Sequence, residues 1–320
     1  MKLAKPSALR RLGILGLNRR NADYTLRYNQ RRLYPLVDDK FQTKQLALAN
    51  GLKVPELYGT IATEYENRHG LDDILAGRDD FVVKPARGSG GNGIAVIASR
   101  AGDHFKGVNG TLLQKEELQF HISNILSGLY SLGGQPDRVL IEYRVQFDPV
   151  FESISYQGVP DIRIIVFKGV PVMSMVRLPT RMSGGKANLH QGAIGAGIDL
   201  STGTTLQAVW RNSIVAEHPD TGNPVTGVCI PQWARLLELA AGCYELTGLG
   251  YIGVDLVLDR YLGPLILELN ARPGLSIQLA NRSGLGRRLE RIEDEAVEGM
   301  SIAERVHVAT QWFGTTPAVT

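Results

Sequence analysis

With 320 residues, 43% of them hydrophobic and 21% charged, the chain has material for about two domains, or one domain in two lobes. No apolar run approaches the roughly 18 residues of a membrane span, and Met1–Arg20 lacks the apolar stretch and small-residue cleavage site of a secretion signal. The net charge of +3 is uneven: residues 1–36 hold nine cations against Asp23 alone, a net of +8, which leaves −5 for residues 37–320.

The basic segment reads as a solvated helix packed on an acidic body. Its alternative is an arm for an acidic partner, a phosphate group or an anionic membrane surface. Nucleic acid is disfavoured, because Lys and Arg are not interleaved with stacking aromatics. Cys229 and Cys243 form no CxxC pair and sit among apolar neighbours, so both read as packed thiols of a reducing cytoplasm. Residues 7–18 have weak helical spacing interrupted by Gly13 and Gly16. Asp38 and Asp39 cap a stronger helix, Lys40–Asn50, that stops at Gly51. An extended exit follows at Val54–Gly59, then a short helix over 71–79 and a strand at Phe81–Pro85.

Gly88, Gly90 and Gly93 formally satisfy G-x-G-x-x-G, yet the β-type run Ile94–Ala98 follows where a dinucleotide fold needs a helix. No Gly-Lys-Ser/Thr closes the loop, so a Walker A motif is excluded as well. Strand, glycine loop, strand is a hairpin able to fold over a polyphosphate, with Lys84 supplying positive charge. Its bland counterpart is an ordinary glycine-rich turn. Further on come a helix at Lys115–Leu129, a strand at Arg138–Val145, and two strands in Asp161–Val176 around Lys168-Gly169. Arg177–Gly195 is a long glycine-rich loop of functional character, in which His190 reads as a surface group rather than a catalyst. Leu206–Trp210 is a strand, and Pro231–Thr247 has the most regular amphipathic spacing. The chain after Arg287 is helical and charged.

The runs Ile252–Leu258 and Leu265–Leu269 form a hairpin about Asp259–Pro264. Strict alternation puts Leu265, Leu267 and Leu269 on one face and Ile266, Glu268 and Asn270 on the other. With Asp255 on the paired run, three oxygen donors without a nearby His or Cys suit Mg²⁺ rather than Zn²⁺. A solvated polar face is the alternative.

Together these pieces resemble the ATP-grasp carboxylate–amine ligases over about residues 38–285, and among them the RimK-type α-L-glutamate ligases. The resemblance implies an α+β, ATP-grasp fold whose two lobes clamp ATP. It also implies the following roles. Lys40, in Asp39-Lys40, contacts phosphate, as does Lys84 in VVKP. Gly88, Ser89, Gly90, Gly91 and Gly93 form the phosphate loop. Glu142, Tyr143 and Val145 make the adenine hinge, and Asp161 holds the ribose. Lys186 and Asn188, in KANLHQGA, lie near phosphate and substrate. Asp255, Glu268 and Asn270 hold two Mg²⁺ ions, or Mn²⁺ in their place.

Two departures stand out. Only 39 residues precede Lys40, so the full N-terminal α/β domain of RimK-type ligases is not expected. In addition, NARPG replaces NASPG, so Arg272 adds a cation that could bind a substrate carboxylate or the transferring phosphate, or form a structural ion pair. The expected division is a basic segment at 1–36, a smaller lobe at 37–145, a larger lobe at 146–300 and a tail at 301–320. The implied activity is ADP-forming ligation of glutamate or another amino acid to a peptide or protein. A hydroxyl kinase and a nucleotide-binding module without catalysis are the alternatives.

Overall fold

The computed structural model describes residues 5–314 other than Ser89. Two antiparallel sheets dominate. The smaller runs β1-β6-β2-β3-β4-β5, from β1 (Leu57–Ile61), β2 (Phe81–Pro85), β3 (Ala95–Ala101), β4 (His104–Gly107), β5 (Leu112–Gln114) and β6 (Val139–Glu142). The larger runs β11-β10-β9-β8-β7-β12-β13. Its strands are β7 (Asp161–Phe167), β8 (Val170–Leu178), β9 (Ile194–Ile198), β10 (Thr205–Trp210), β11 (Ser213–Val215), β12 (Tyr251–Asp259) and β13 (Gly263–Asn270).

Each sheet has its own core. Phe81, Val83, Ile97, Ile122 and Ile141 close the smaller one under the helix Lys115–Leu126. That helix ends at Leu126, where Gly128, at a φ of 87°, turns the chain. The larger core gathers β7, β8, β12 and the helix Trp233–Thr247. Lys168 and Gly169 both have positive φ, the geometry of a tight hairpin between right-twisted strands.

The N-terminal segment is part of this second core. Leu15, Tyr24, Val37 and Ala47 are buried in it, and Tyr24 stacks edge-on against Phe167 at 5.6 Å. A π-helical turn, Arg20–Thr25, carries Tyr24 inward. Arg19 pairs with Glu290 at 2.8 Å and Arg27 with Glu293 at 3.0 Å, so part of the positive charge does meet the acidic body. Asn29 donates to the carbonyls of Tyr251 and Ala271 and accepts from Tyr251 N–H, tying the segment to β12 and to the end of β13.

Two expectations need correction. Cys243 is buried, but Cys229 is exposed, in a bridge beside Thr204 rather than among its apolar neighbours. Alternation also fails in β13. Asp255 opposes Glu268 while Leu256 opposes Ile266, so Leu267 is an extra residue, a β-bulge. The bulge turns Ile266 into the large core and leaves Leu265 and Leu267 beside Val145 and Val257. Glu268 and Asn270 remain on the side of Asp255. Among the described residues no helix is long and apolar enough to cross a membrane.

Candidate active site

Helix Lys40–Ala49 begins where Asp39 accepts from the Phe41 and Gln42 N–H groups at 3.0 and 3.3 Å. This cap sets Lys40 at the helix edge facing both sheets. Lys40 Nζ donates to the Gly88 carbonyl at 2.6 Å and lies 3.8 Å from Glu268 Oε1. One ammonium thus joins the glycine loop to the acidic strand.

The neighbouring Lys44, one helical turn on, is buried. Its Nζ lies 2.7 Å from Glu142 Oε2 and donates to the Pro55 carbonyl, while Lys84 Nζ contacts Glu142 Oε1. Glu142 therefore sits between two lysines. Burial pushes its carboxyl up, and the charges of Lys84 and Lys44 more than reverse this, so the group is held ionised. Burial also draws Lys44 down to about 8 against the pull of Glu142. The motif Asp39-Lys40 continues to Lys44, but motif reading assigned Lys44 no role. Its signal was spacing: four residues after Lys40, on the same helix face. Tyr143 donates its N–H to the Glu56 carbonyl at 2.8 Å and its hydroxyl to Asp259 at 3.1 Å. Burial and then Asp259 raise its phenol to about 12. With Val145 packed on Val257 and Leu265, the strand exit at 142–145 is fixed to both sheets.

Beyond Lys84 the glycine loop crosses toward the Lys186 segment. Asn188 Nδ2 and Gln191 Nε2 each donate to the Gly90 carbonyl at 3.2 Å. A Cβ on Gly91 would touch the Lys186 side chain at 3.4 Å. A cavity of about 590 Å³ adjoins, lined by Gly91, Gly93, His121, Tyr130 and Lys186 among others. Gly93 has a φ of 74°, and a Cβ there would lie 2.6 Å from the Tyr130 ring. Gly93→Ala is accordingly expected to lift the loop off Tyr130 and raise the KM for ATP about tenfold, with the far-ultraviolet circular dichroism unchanged. An unaltered KM would mean that the loop does not meet the nucleotide. Ser89 lies outside the described residues. His190 is exposed and donates its N–H to Asn188, as expected of a surface group.

On the opposite sheet, Asp255 faces Arg163 across β7 and Glu268 across β13. Arg163 holds it bidentately at 2.6 and 2.5 Å, and Arg177 approaches at 2.9 Å while also pairing with Asp161. Burial pushes Asp255 up, but the two guanidiniums hold it at about 2. Asp161 is carried up to about 7 by burial, against Arg177 and with the Asp255 charge adding to the rise. Its Oδ1 is buried without a hydrogen-bond partner, an acceptor that a hydroxyl would satisfy. The sequence showed Arg163 only as part of a DIR triplet. Its pairing with Asp255 depends on strand register.

Asn270 donates its amide N–H to Asp255 at 3.2 Å, which leaves its carbonyl oxygen available beside the partly exposed Glu268. These two oxygens fit a hard cation. Asp255 would have to share its oxygens with Arg163. Among the described residues no three His, Cys, Asp or Glu side chains cluster as a metal site. Arg272 is half exposed, 3.9 Å from Asp38 and with its guanidinium 5.4 Å from the Tyr34 ring centroid. Its carbonyl and that of Pro273 accept from Arg20 at 3.2 and 2.8 Å.

Comparison with solved structures finds the ATP-grasp ligase PsnB, complexed with minimal precursor, Mg and ADP, at 15% identity and a TM-score of 0.45. The match covers 83% of this chain and 61% of that one. The D-cycloserine synthetase DcsG matches at 18% identity, 86% and 72% coverage and a TM-score of 0.47. D-alanine–D-alanine ligase from Bacillus anthracis complexed with ATP matches at 15%, 88% and 67% with a TM-score of 0.43. The chain spans about three fifths of the PsnB length. No curated protein matches it. The profile of the sugar-transfer associated ATP-grasp family does match, over residues 19–294. Covering most of the chain, that match shows that the protein has the ATP-grasp fold and belongs to the sugar-transfer associated ATP-grasp family.

Proposed function

We propose that the protein is an ADP-forming carboxylate–amine ligase, which activates a carboxylate with ATP and joins it to an amine. The observation that carries this reading is the position of Lys40 Nζ, which touches the Gly88 carbonyl and lies near Glu268 at once. A triphosphate laid between the glycine loop and β13 would meet Lys40 and Lys84 on one side and Glu268 and Asn270 on the other. Phosphoryl transfer asks a protein mainly for such positioning and charge stabilisation. Bound Mg²⁺, or Mn²⁺, would neutralise phosphate charge, held by Glu268 and Asn270 with Asp255 behind them. The carboxylate takes the γ-phosphoryl group, and the amine then displaces phosphate from the acylphosphate. Gly88–Gly93, anchored by Asn188 and Gln191, would shield that acylphosphate from water. Lys186 and Arg272 would hold the substrate's anionic groups.

The finer reading, glutamate or another amino acid added to a peptide or protein as in RimK-type ligases, rests on the motifs Asp39-Lys40, VVKP and Glu268-Leu269-Asn270. The division into a smaller lobe at 37–145 and a larger one at 146–300 is part of the same proposal. Purified protein given ATP, Mg²⁺ and an amino-acid mixture with a peptide acceptor is expected to release ADP and phosphate and to yield an amide-linked product. A phosphorylated hydroxyl product, or ADP release that no amino acid or peptide stimulates, would overturn the ligase reading.

A further inference from the structure

Far from the nucleotide residues, a cavity of about 280 Å³ is lined by Arg287, Arg288, Arg291, Trp312, Phe313 and Gly314. Among the described residues Arg287 and Arg291 form no ion pair, and burial draws the Arg288 guanidinium down against the pull of the Asp199 charge. Arg288 donates to the Val172 carbonyl at 2.7 Å and lies over Phe313 at 5.4 Å, while Arg291 lies over Trp312 at 4.6 Å. Three guanidiniums line a concave, aromatic-backed space, and the fork geometry of arginine suits phosphate oxygens.

This cavity borders the N-terminal segment. Arg287 donates to the Arg11 carbonyl, Gly286 N–H donates to the Gly13 carbonyl at 2.9 Å, and the Arg287 stem covers Gly13. The helix Pro6–Arg11 is thereby fixed beside the cavity with Arg10 and Arg11 exposed. Leu9 and Leu12 next to them are 39% and 64% exposed. Among the described residues Arg10 and Arg11 form no ion pair, and neither leucine belongs to a hydrophobic core. Of the acids of the adjoining helix, Gly286–Asp294, Glu290 pairs with Arg19 and Glu293 with Arg27, while Asp294 is exposed at its end.

We propose that this face docks on an anionic phospholipid surface. A headgroup phosphate enters the arginine cavity, while Leu9 and Leu12 reach the acyl boundary and Trp312 lies at headgroup level. Cations next to exposed leucines and an amphipathic aromatic are what such an interface recognises. Nucleic acid would use the cations but gain nothing from the leucines, whereas the acyl boundary takes both at once.

The test is cosedimentation of the full chain with vesicles of phosphatidylcholine plus phosphatidylglycerol, and with phosphatidylcholine alone. Binding is expected only to the former. Arg287→Glu and Arg291→Glu should each weaken it about fivefold, and Leu12→Ser, which leaves the charge unchanged, about threefold. All three variants should keep the wild-type thermal midpoint. A parallel titration with inorganic phosphate separates the two sources of phosphate. If free phosphate binds while anionic vesicles do not, the cavity serves a soluble ligand and the docking proposal fails. Vesicle binding that Leu12→Ser leaves untouched would equally overturn it, since simple attraction to a polyanion would then suffice.

Discussion

Glu142→Gln is expected to lower the unfolding free energy by about 3–5 kcal/mol, one of the larger losses available in this chain. The carboxylate is almost fully buried between Lys44 and Lys84, both about 5% exposed at the side chain. An amide leaves two buried ammonium groups without a countercharge, whereas burial of the intact cluster is compensated by two close ion pairs. The loss should itself depend on pH. Lys44 already titrates at about 8 in the folded protein, whereas a lysine in the unfolded chain titrates at about 10.4. Across that interval the unfolded state holds more protons, so raising the pH stabilises the fold. Removing Glu142 lowers the folded Lys44 value further, and the variant's deficit should narrow as pH rises from 8 toward 10. Urea unfolding of both proteins at the two pH values measures this. A deficit under about 1 kcal/mol, or one that widens with pH, would show that the lysines have other compensation.

Glu268→Gln should act on turnover alone. Glu268 is partly exposed, and among the described residues its ion-pair partner is Lys40 at 3.8 Å, while Arg163 keeps Asp255, so replacing Glu268 leaves no buried charge stranded. Stability should change by under about 0.5 kcal/mol. The rate of ATP-dependent ADP release should fall about a thousandfold, the order expected when charge stabilisation of a transferring phosphoryl group is lost. Comparing ADP release with the thermal midpoint separates the two effects. Undiminished release would remove Glu268 from the proposed site, and a collapsed midpoint would make it structural.

Much of this arrangement was legible because it is local. The cap at Asp39, the strand Phe81–Pro85, the turn at Lys168-Gly169 and the hairpin after Gly250 are each written in a few adjacent residues. The missed capping box of Thr63 and Glu66, which starts a helix at Glu64, was equally local and carried a readable T-x-x-E signal. Partnership across sheets was not legible. Arg163 meets Asp255 because β7 pairs with β12 in one register, and Lys44 meets Glu142 because a helix from one end of the chain crosses a strand nearly 100 residues on. The bulge at Leu267 was hidden for the same reason. An extra residue shows only against a paired strand, and strict alternation cannot anticipate it. The basic charge of residues 1–36 was plain, yet its split between pairs with Glu290 and Glu293 and the exposed Arg10 and Arg11 needed the fold.

The clasp formed by Asn29 bears on the order in which the chain acquires its structure. Asn29 bonds Tyr251 and Ala271, and the Leu15 N–H is satisfied by Gln278, 263 positions later. The six-stranded sheet uses only residues between Leu57 and Glu142, so it can close while the remainder of the chain is still being synthesised. The seven-stranded sheet cannot bury Tyr24 until β12 exists. The basic segment that carries Tyr24 must wait for those partners, and such long loop closures are slow. Refolding should therefore show two phases, with Tyr24 and Tyr251 shielded from solvent only in the later one.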